Sequence, residues 1–232
     1  MRRPTYFEEG TVFIFGGSFD PVTYTHVQVA MEALAFGLAD QVWMVPCGMR
    51  PDKPTQVSPE CRLEMVSLAL DAMASAKLPI FVDGTEVDAG RYLPTRELMC
   101  VYRSRYPKLK FKVLMGNDLL GSLHTWDDFP DLVRENRFLV YKRICTNDSP
   151  RHRVFEDDES DTVHLLDSNK TKLHVERLRD SDGFHPVISN VSSTEVRKRL
   201  EMKGPSAVAG LTPLYVVEYI VKHGLYKVRC DS

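Results

Sequence analysis

The sequence holds no cysteine pattern suited to a structural metal or a disulfide framework. Its five cysteines (Cys47, Cys61, Cys100, Cys145, Cys230) are scattered, odd in number and form no C-x-x-C pair, which points to a reducing compartment. An excess of charge is missing too. Thirty Lys and Arg against 32 Asp and Glu leave a net charge of −2, without the basic bias of a nucleic-acid binder, so no nucleic-acid partner is expected. No run of about 18 apolar residues occurs, and Met1-Arg2-Arg3-Pro4 is not followed by an apolar stretch. Neither a membrane span nor a secretory leader is therefore expected, and the reading is a soluble cytoplasmic protein. Arg2-Arg3 and Lys198-Arg199 are too short to argue for nuclear import, and nuclear residence and homo-oligomer formation stay open. With no internal repeat and no linker, the 232 residues read as one domain, 1–232, with a sizeable core.

What the chain does have is alternation. Val12–Phe15 reads as a buried strand, and Val27–Phe36 has helical apolar spacing that stops at Gly37. Gln41–Pro46, Ile80–Val82, Phe111–Met115 and Arg137–Tyr141 read as further strands. Pro59–Ala74 and Thr95–Tyr106 read as helices, with Pro59 near the start of the first and Pro107 stopping the second. Trp43, inside an apolar strand, is assigned to the core. This order predicts an α/β protein with a mainly parallel sheet and helices on both faces. Residues 144–184 break the rhythm: the acidic run from Glu156 to Asp161 and many polar residues predict a polar, mobile insertion. The spacing of its histidines, His152, His164 and His174, fits no ligand set. Order returns with a helix capped by Ser192 or Ser193 and closed by Gly204-Pro205, and with a last helix from near Pro213 to Gly224.

Between the first strand and first helix lies Gly16-Gly17-Ser18-Phe19-Asp20-Pro21-Val22-Thr23-Tyr24-Thr25-His26. A glycine turn leading into a helix start lets backbone approach an anion, with the first-turn N–H groups aimed at it. Val191-Ser192-Ser193-Thr194-Glu195-Val196-Arg197 repeats that logic near the other end of the chain, with hydroxyls at a helix start and an arginine one turn in.

The first string resembles the nucleotidyltransferase signature G-x-F-[DN]-P followed by [HT]-x-x-H, and the second resembles its partner, I-S-[ST]-T-x-[IV]-R. The similarity is greatest to the nicotinamide/nicotinic acid mononucleotide adenylyltransferases and covers about residues 11–143 and 186–226. It implies a Rossmann-like, doubly wound fold. It also implies transfer of an adenylyl group from ATP to nicotinamide or nicotinic acid mononucleotide, releasing pyrophosphate, with Mg2+ held mainly by the ATP phosphates and no protein metal site. In that light His26, Arg197 and Thr23 are the catalytic candidates, Thr23 standing where many relatives have a second histidine. ATP is assigned to Gly16, Gly17, Phe19 and His26, to Gly116 and Asp118 of the Gly116-Asn117-Asp118-Leu119 segment, and to Ser192, Ser193, Thr194 and Arg197.

The mononucleotide is assigned to Ser18, Lys53, Tyr92, Thr95 and Trp126, the last as a stacking face for the pyridine. Arg50 could substitute for Lys53, Arg143 matches a basic residue near the adenine pocket, Asp20 braces the turn, and Thr25 receives no role. The insertion has no counterpart in compact bacterial relatives, which implies a eukaryotic-type protein. Two other readings use the same residues: adenylyl transfer to phosphopantetheine, against which Trp126 and the Tyr92/Thr95 segment argue, and a catalytically idle nucleotide-binding or chaperone-like protein. The wording of Ser192–Arg197 departs from that expected of a cytidylyltransferase.

Overall fold

A computed structural model of the chain describes residues 9–52, 57–74, 77–129, 131–141, 154–156, 162–166, 172–177 and 186–229. Its strands are β1 (Gly10–Gly17), β2 (Gln41–Pro46), β3 (Ile80–Val82), β4 (Leu109–Gly116), β5 (Arg137–Tyr141), β6 (Val154–Glu156), β7 (Thr162–Leu166) and β8 (Lys172–Arg177). They form one eight-stranded sheet in the order β3-β2-β1-β4-β5-β8-β7-β6. Neighbours from β3 through β5 to β8 run parallel, and the β8-β7-β6 pairs are antiparallel. The helices are α1 (Tyr24–Ala35), α2 (Pro59–Met73), α3 (Thr85–Asp88), α4 (Thr95–Arg105), α5 (Asp131–Glu135), α6 (Ser193–Lys203) and α7 (Leu214–Lys222), with 3-10 turns at Asn117–Thr125 and Pro205–Val208.

The period-two alternation of β1 sorts its side chains onto opposite faces. Phe13 and Phe15 join a core built with Val27, Val66, Val196 and Val216 of α1, α2, α6 and α7. Val12 and Ile14 join a second core with Met99 of α4, Leu123 of the first 3-10 turn and Val133 of α5. Helices thus cover both faces, and the doubly wound expectation holds. Trp43 lies fully buried in the second core, its indole N–H donating to Gln41 Oε1 at 3.1 Å.

Where a polar insertion is expected, the described residues form β6, β7 and β8. The reason is legible afterwards. Val163 and Leu165 pair with Val175 and Leu173 across β7 and β8, a short alternation hidden by the acidic residues beside it.

The parallel strands β1 to β5 end along one edge of the sheet. β1 separates β2, which is followed by α2 on one face, from β4, whose neighbour β5 is followed by the return to β8. Ligands of open α/β sheets bind outside such carboxyl ends, where the strand order reverses. Both glycines of the first signature lie at the end of β1.

Candidate active site

Thr23 is the N-cap of α1 and His26 is its third residue. The ring reaches back to the cap: Thr23 N–H donates to His26 Nδ1 at 3.0 Å, and Thr23 Oγ1 lies 2.9 Å from the same nitrogen. This is the return arm of a capping box, made by an imidazole where glutamate is usual. A backbone N–H can only donate, so Nδ1 is the acceptor and the neutral ring carries its proton on Nε2. Phe19, with φ of 46°, turns its ring inward and sets it edge-on to His26 at 5.1 Å and to Phe15 at 5.6 Å. Phe19 is buried, so what it can offer a nucleotide is backbone. At Gly17 an added Cβ would stand 3.0 Å from the Phe19 ring, whereas at Gly16 it would meet nothing within 4 Å.

The second signature docks onto the first. Arg197 Nη1 donates to the Asp20 carbonyl and lies 3.8 Å from the Asp20 carboxylate. Its Nη2 donates to Thr194 Oγ1 at 3.4 Å. Ser193 Oγ donates to the Pro21 carbonyl at 2.7 Å, and Ser192 caps α6 by accepting from Glu195 N–H at 3.2 Å. Thr25, assigned no role from the sequence, is a principal joint. Its hydroxyl donates to the Ser189 carbonyl at 3.0 Å and accepts from Val191 N–H at 2.9 Å. Tyr226 is another: its hydroxyl donates to Asp20 Oδ1 at 2.8 Å, so Asp20 braces the turn between a tyrosine and an arginine.

Contrary to the expectation that the first-turn N–H groups of α1 are aimed at an anion, Tyr24 N–H donates to the Leu211 carbonyl at 3.1 Å and His26 N–H to the Thr23 carbonyl at 3.1 Å. What α1 can turn toward a phosphate is therefore chiefly the His26 ring, and the loop before it supplies the backbone.

Beside this cluster a cavity of about 1060 Å³ opens, with Gly16, Gly17 and Ser18 in its wall. That volume is at the upper end of ordinary ligand pockets. Tyr92, Thr95 and Trp126 also line it, so every described candidate for the mononucleotide faces one space. Lys53 and Arg143 lie outside the described residues. His26, Thr23 and Arg197 are not among the described residues of the cavity wall; His26 and Arg197 flank the next stretch of the same loop, Phe19–Asp20, and Thr23 joins them through His26. Gly116 is buried, and a Cβ there would come within 2.3 Å of Asp118 Oδ1, so the glycine lets the exposed aspartate fold back over the end of β4.

Two buried charges that build the wall have no counterpart in the sequence reading. Arg62 of α2 is fully buried and donates to the carbonyls of Ser18 at 2.6 Å, Cys47 at 2.5 Å and Gly48 at 3.3 Å. Glu86 of α3 accepts at one oxygen from Gly48 N–H at 2.9 Å and from Leu93 N–H at 3.1 Å. The Gly48 contact leaves no room for a side chain, since a Cβ would lie 2.3 Å from the Arg91 carbonyl. Burial pushes the Glu86 carboxyl above its ordinary value, although its two N–H bonds and Arg50 and Arg62 pull it down. A carboxyl raised on folding contributes stability that is complete below its unfolded value, about pH 4.3, and that is lost as pH rises through the folded one. Glu86→Gln should keep both N–H bonds through its amide oxygen and escape that loss. Its melting temperature relative to wild type is expected to climb from pH 4 to pH 7 in parallel thermal scans; a constant difference would contradict the assignment.

Among the described residues no group of three or more His, Cys, Asp or Glu is placed to hold a metal ion, and no helix is long and apolar enough to cross a membrane.

The cytidylyltransferase-like family matches residues 14–199. A probable nicotinate-nucleotide adenylyltransferase of Shewanella pealeana is 28% identical over 222 residues, covering 92% of this chain and 94% of its own. The two are nearly equal in length, so length alone does not set this chain apart from that bacterial relative. Among solved structures, the Plasmodium falciparum nicotinic acid mononucleotide adenylyltransferase complexed with NaAD superposes with a TM-score of 0.72 at 24% identity, over 95% of this chain and 99% of that one. A putative nicotinate-nucleotide adenylyltransferase from Vibrio parahaemolyticus gives a TM-score of 0.58 at 15% identity, over 94% and 95%. These are likenesses of fold. A probable nicotinate-nucleotide adenylyltransferase of Neisseria meningitidis serogroup C is 30% identical over 220 residues, covering 92% of this chain and 97% of its own. By the extent of these matches, the chain belongs to the cytidylyltransferase-like family of nucleotidyltransferases, alongside the nicotinate-nucleotide adenylyltransferases.

Proposed function

We propose that the protein transfers the adenylyl group of ATP to a pyridine mononucleotide, nicotinic acid mononucleotide first and its amide second, in the biosynthesis of NAD. The observation that carries this is the shared loop. Gly16–Ser18 borders a cavity holding Tyr92, Thr95 and Trp126 on one side and, through Phe19–Asp20, the His26/Arg197 cluster on the other. The bacterial relatives, named as probable nicotinate-nucleotide adenylyltransferases, agree with it.

The chemistry asks for alignment and charge stabilisation rather than a general base, because the attacking phosphate is already ionised. A phosphate oxygen of the mononucleotide forms a bond to the α-phosphorus of ATP, and the bond from that phosphorus to the α,β-bridging oxygen breaks. The electron pair leaves with pyrophosphate. His26 Nε2–H would donate to the oxygens on which charge builds, held on line by its Nδ1 contact to the Thr23 backbone. Arg197, already drawn to the Asp20 carbonyl, would hold the far phosphates beside Ser192–Thr194. Trp126 would stack on the pyridine.

The donor set fits magnesium entering with the nucleotide: the one carboxylate of the loop, Asp20, is engaged by Tyr226 and faces Arg197. Bound Mg2+ would neutralise charge on the triphosphate and the departing pyrophosphate, with its ligands mainly phosphate oxygens and water.

Pyrophosphate release measured with nicotinic acid mononucleotide, its amide and phosphopantetheine as acceptors, side by side, tests the proposal. Turnover with a pyridine acceptor is expected; turnover with phosphopantetheine alone, or ATP binding without turnover, would overturn it. Within it, Trp126→Ala should raise the KM for the mononucleotide about tenfold, the size of a lost stacking contact, and leave the KM for ATP close to wild type. A change confined to ATP would remove Trp126 from the pyridine site.

A further inference from the structure

The described wall of the cavity carries more carboxylates than guanidiniums. Among the described residues that line it, four carry carboxylates (Asp52, Glu86, Glu97 and Asp127) and two carry guanidiniums (Arg50 and Arg91). A mononucleotide brings at least one anion into that wall. Arg91 is claimed by both carboxylate oxygens of Glu97, and its side chain is 57% exposed. Arg50 differs. Its side chain is 27% exposed, its guanidinium carbon lies 5.3 Å from the centre of the Tyr92 ring, and both ends of its fork are met by Asp52, at 3.0 Å and 2.6 Å.

We infer that Arg50 is the anion-recognition residue for the mononucleotide, and that Asp52 is an internal stand-in whose place the substrate's anionic group takes. The inference rests on the proposed acceptor class and assigns it a specific receptor. Three observations converge on it. The guanidinium stands on a rigid wall, because Glu86 ties Gly48, two residues before Arg50, to Leu93, the residue after Tyr92. Its fork presents the two parallel donors that match a carboxylate or a phosphate. Its present partner is a carboxylate on a side chain 61% exposed, so solvent reaches the acceptor side of the pair, and an incoming carboxylate or phosphate can offer the fork the same bidentate contact in exchange. The anion could be the mononucleotide's phosphate or the pyridine carboxylate of the acid substrate, and both suit the fork.

The test is steady-state kinetics at saturating ATP, with nicotinic acid mononucleotide and its amide as varied acceptors, for wild type, Arg50→Gln and Asp52→Asn. Arg50→Gln is expected to raise the acceptor KM tenfold or more, in line with loss of a charge-assisted hydrogen bond, while the KM for ATP and the melting temperature stay near wild type. Asp52→Asn is expected to lower the acceptor KM by about two- to fivefold, since the competing carboxylate is gone. If the anion is the pyridine carboxylate, the Arg50→Gln effect falls on the acid acceptor alone; if it is the phosphate, both acceptors shift by the same factor. With wild type active, an unchanged acceptor KM in Arg50→Gln, or a rise in Asp52→Asn that matches it, overturns the inference and makes the pair a brace. Wild type idle on both acceptors overturns the proposed function, and this inference with it.

Discussion

Replacing His26 by alanine is expected to lower turnover by about 10²-fold or more, the usual effect of removing one preorganised donor at a developing charge. The KM for ATP should move little, because the bond strengthens as charge builds on the α-phosphate rather than in the ground state. The geometry adds a second consequence. His26 also accepts the Thr23 N–H and packs edge-on against Phe19, so the variant should lose about 1 kcal/mol of stability. A loss of that size leaves the protein folded at assay temperature, so that kinetics and thermal melting separate the two roles. Near-wild-type turnover in a folded His26→Ala protein would remove the ring from the chemistry and leave it as a cap.

Arg62→Met should produce the largest loss of stability. The side chain is fully buried and donates to Ser18, Cys47 and Gly48 carbonyls. Methionine fills a similar volume, so the cost reports lost hydrogen bonds rather than a cavity. With the Val57 carbonyl, which accepts from Arg62 Nε at 3.4 Å, four carbonyls lose this donor, and the loss, offset in part by no longer burying a charge, amounts to about 3 kcal/mol. For a chain of this size that corresponds to a fall of roughly 6–12 °C in Tm. Activity should fall further than stability requires, since the same carbonyls set the path of the Ser18 loop and of the β2 exit. A Tm within about 2 °C of wild type would show that the loops hold themselves.

The parts of this structure readable in advance are those governed by local pattern. Gln41–Pro46, Ile80–Val82 and Arg137–Tyr141 are strands at the bounds expected from them, because buried parallel strands are short apolar runs closed by turn residues. His26 and Ser192 could be placed because caps and glycine turns are written within a few residues of where they act. Other features depend on partners distant in sequence. Glu86 reads as one more acidic residue until Gly48, 38 positions away, donates to it. Arg62 looks like the polar face of a helix until Ser18, 44 positions away, turns its carbonyl inward. Thr25 carries no role in the sequence for the same reason, its partner Ser189 lying 164 residues distant, and the partner of Tyr226 lies 206 residues away. The strands β6 to β8 are hidden on different grounds: the polar composition of the whole segment masks a pairing that only the register of Val163 against Val175 reveals.

The central claim is that two loops far apart in sequence meet around one triphosphate, so that an incoming mononucleotide attacks its α-phosphorus. ATP labelled at the α-phosphorus, incubated with nicotinic acid mononucleotide and Mg2+, tests it directly. Label is expected in the pyridine dinucleotide, with unlabelled pyrophosphate released in equal amount. Label in ADP, or label that never joins the pyridine while ATP is consumed, would contradict the account.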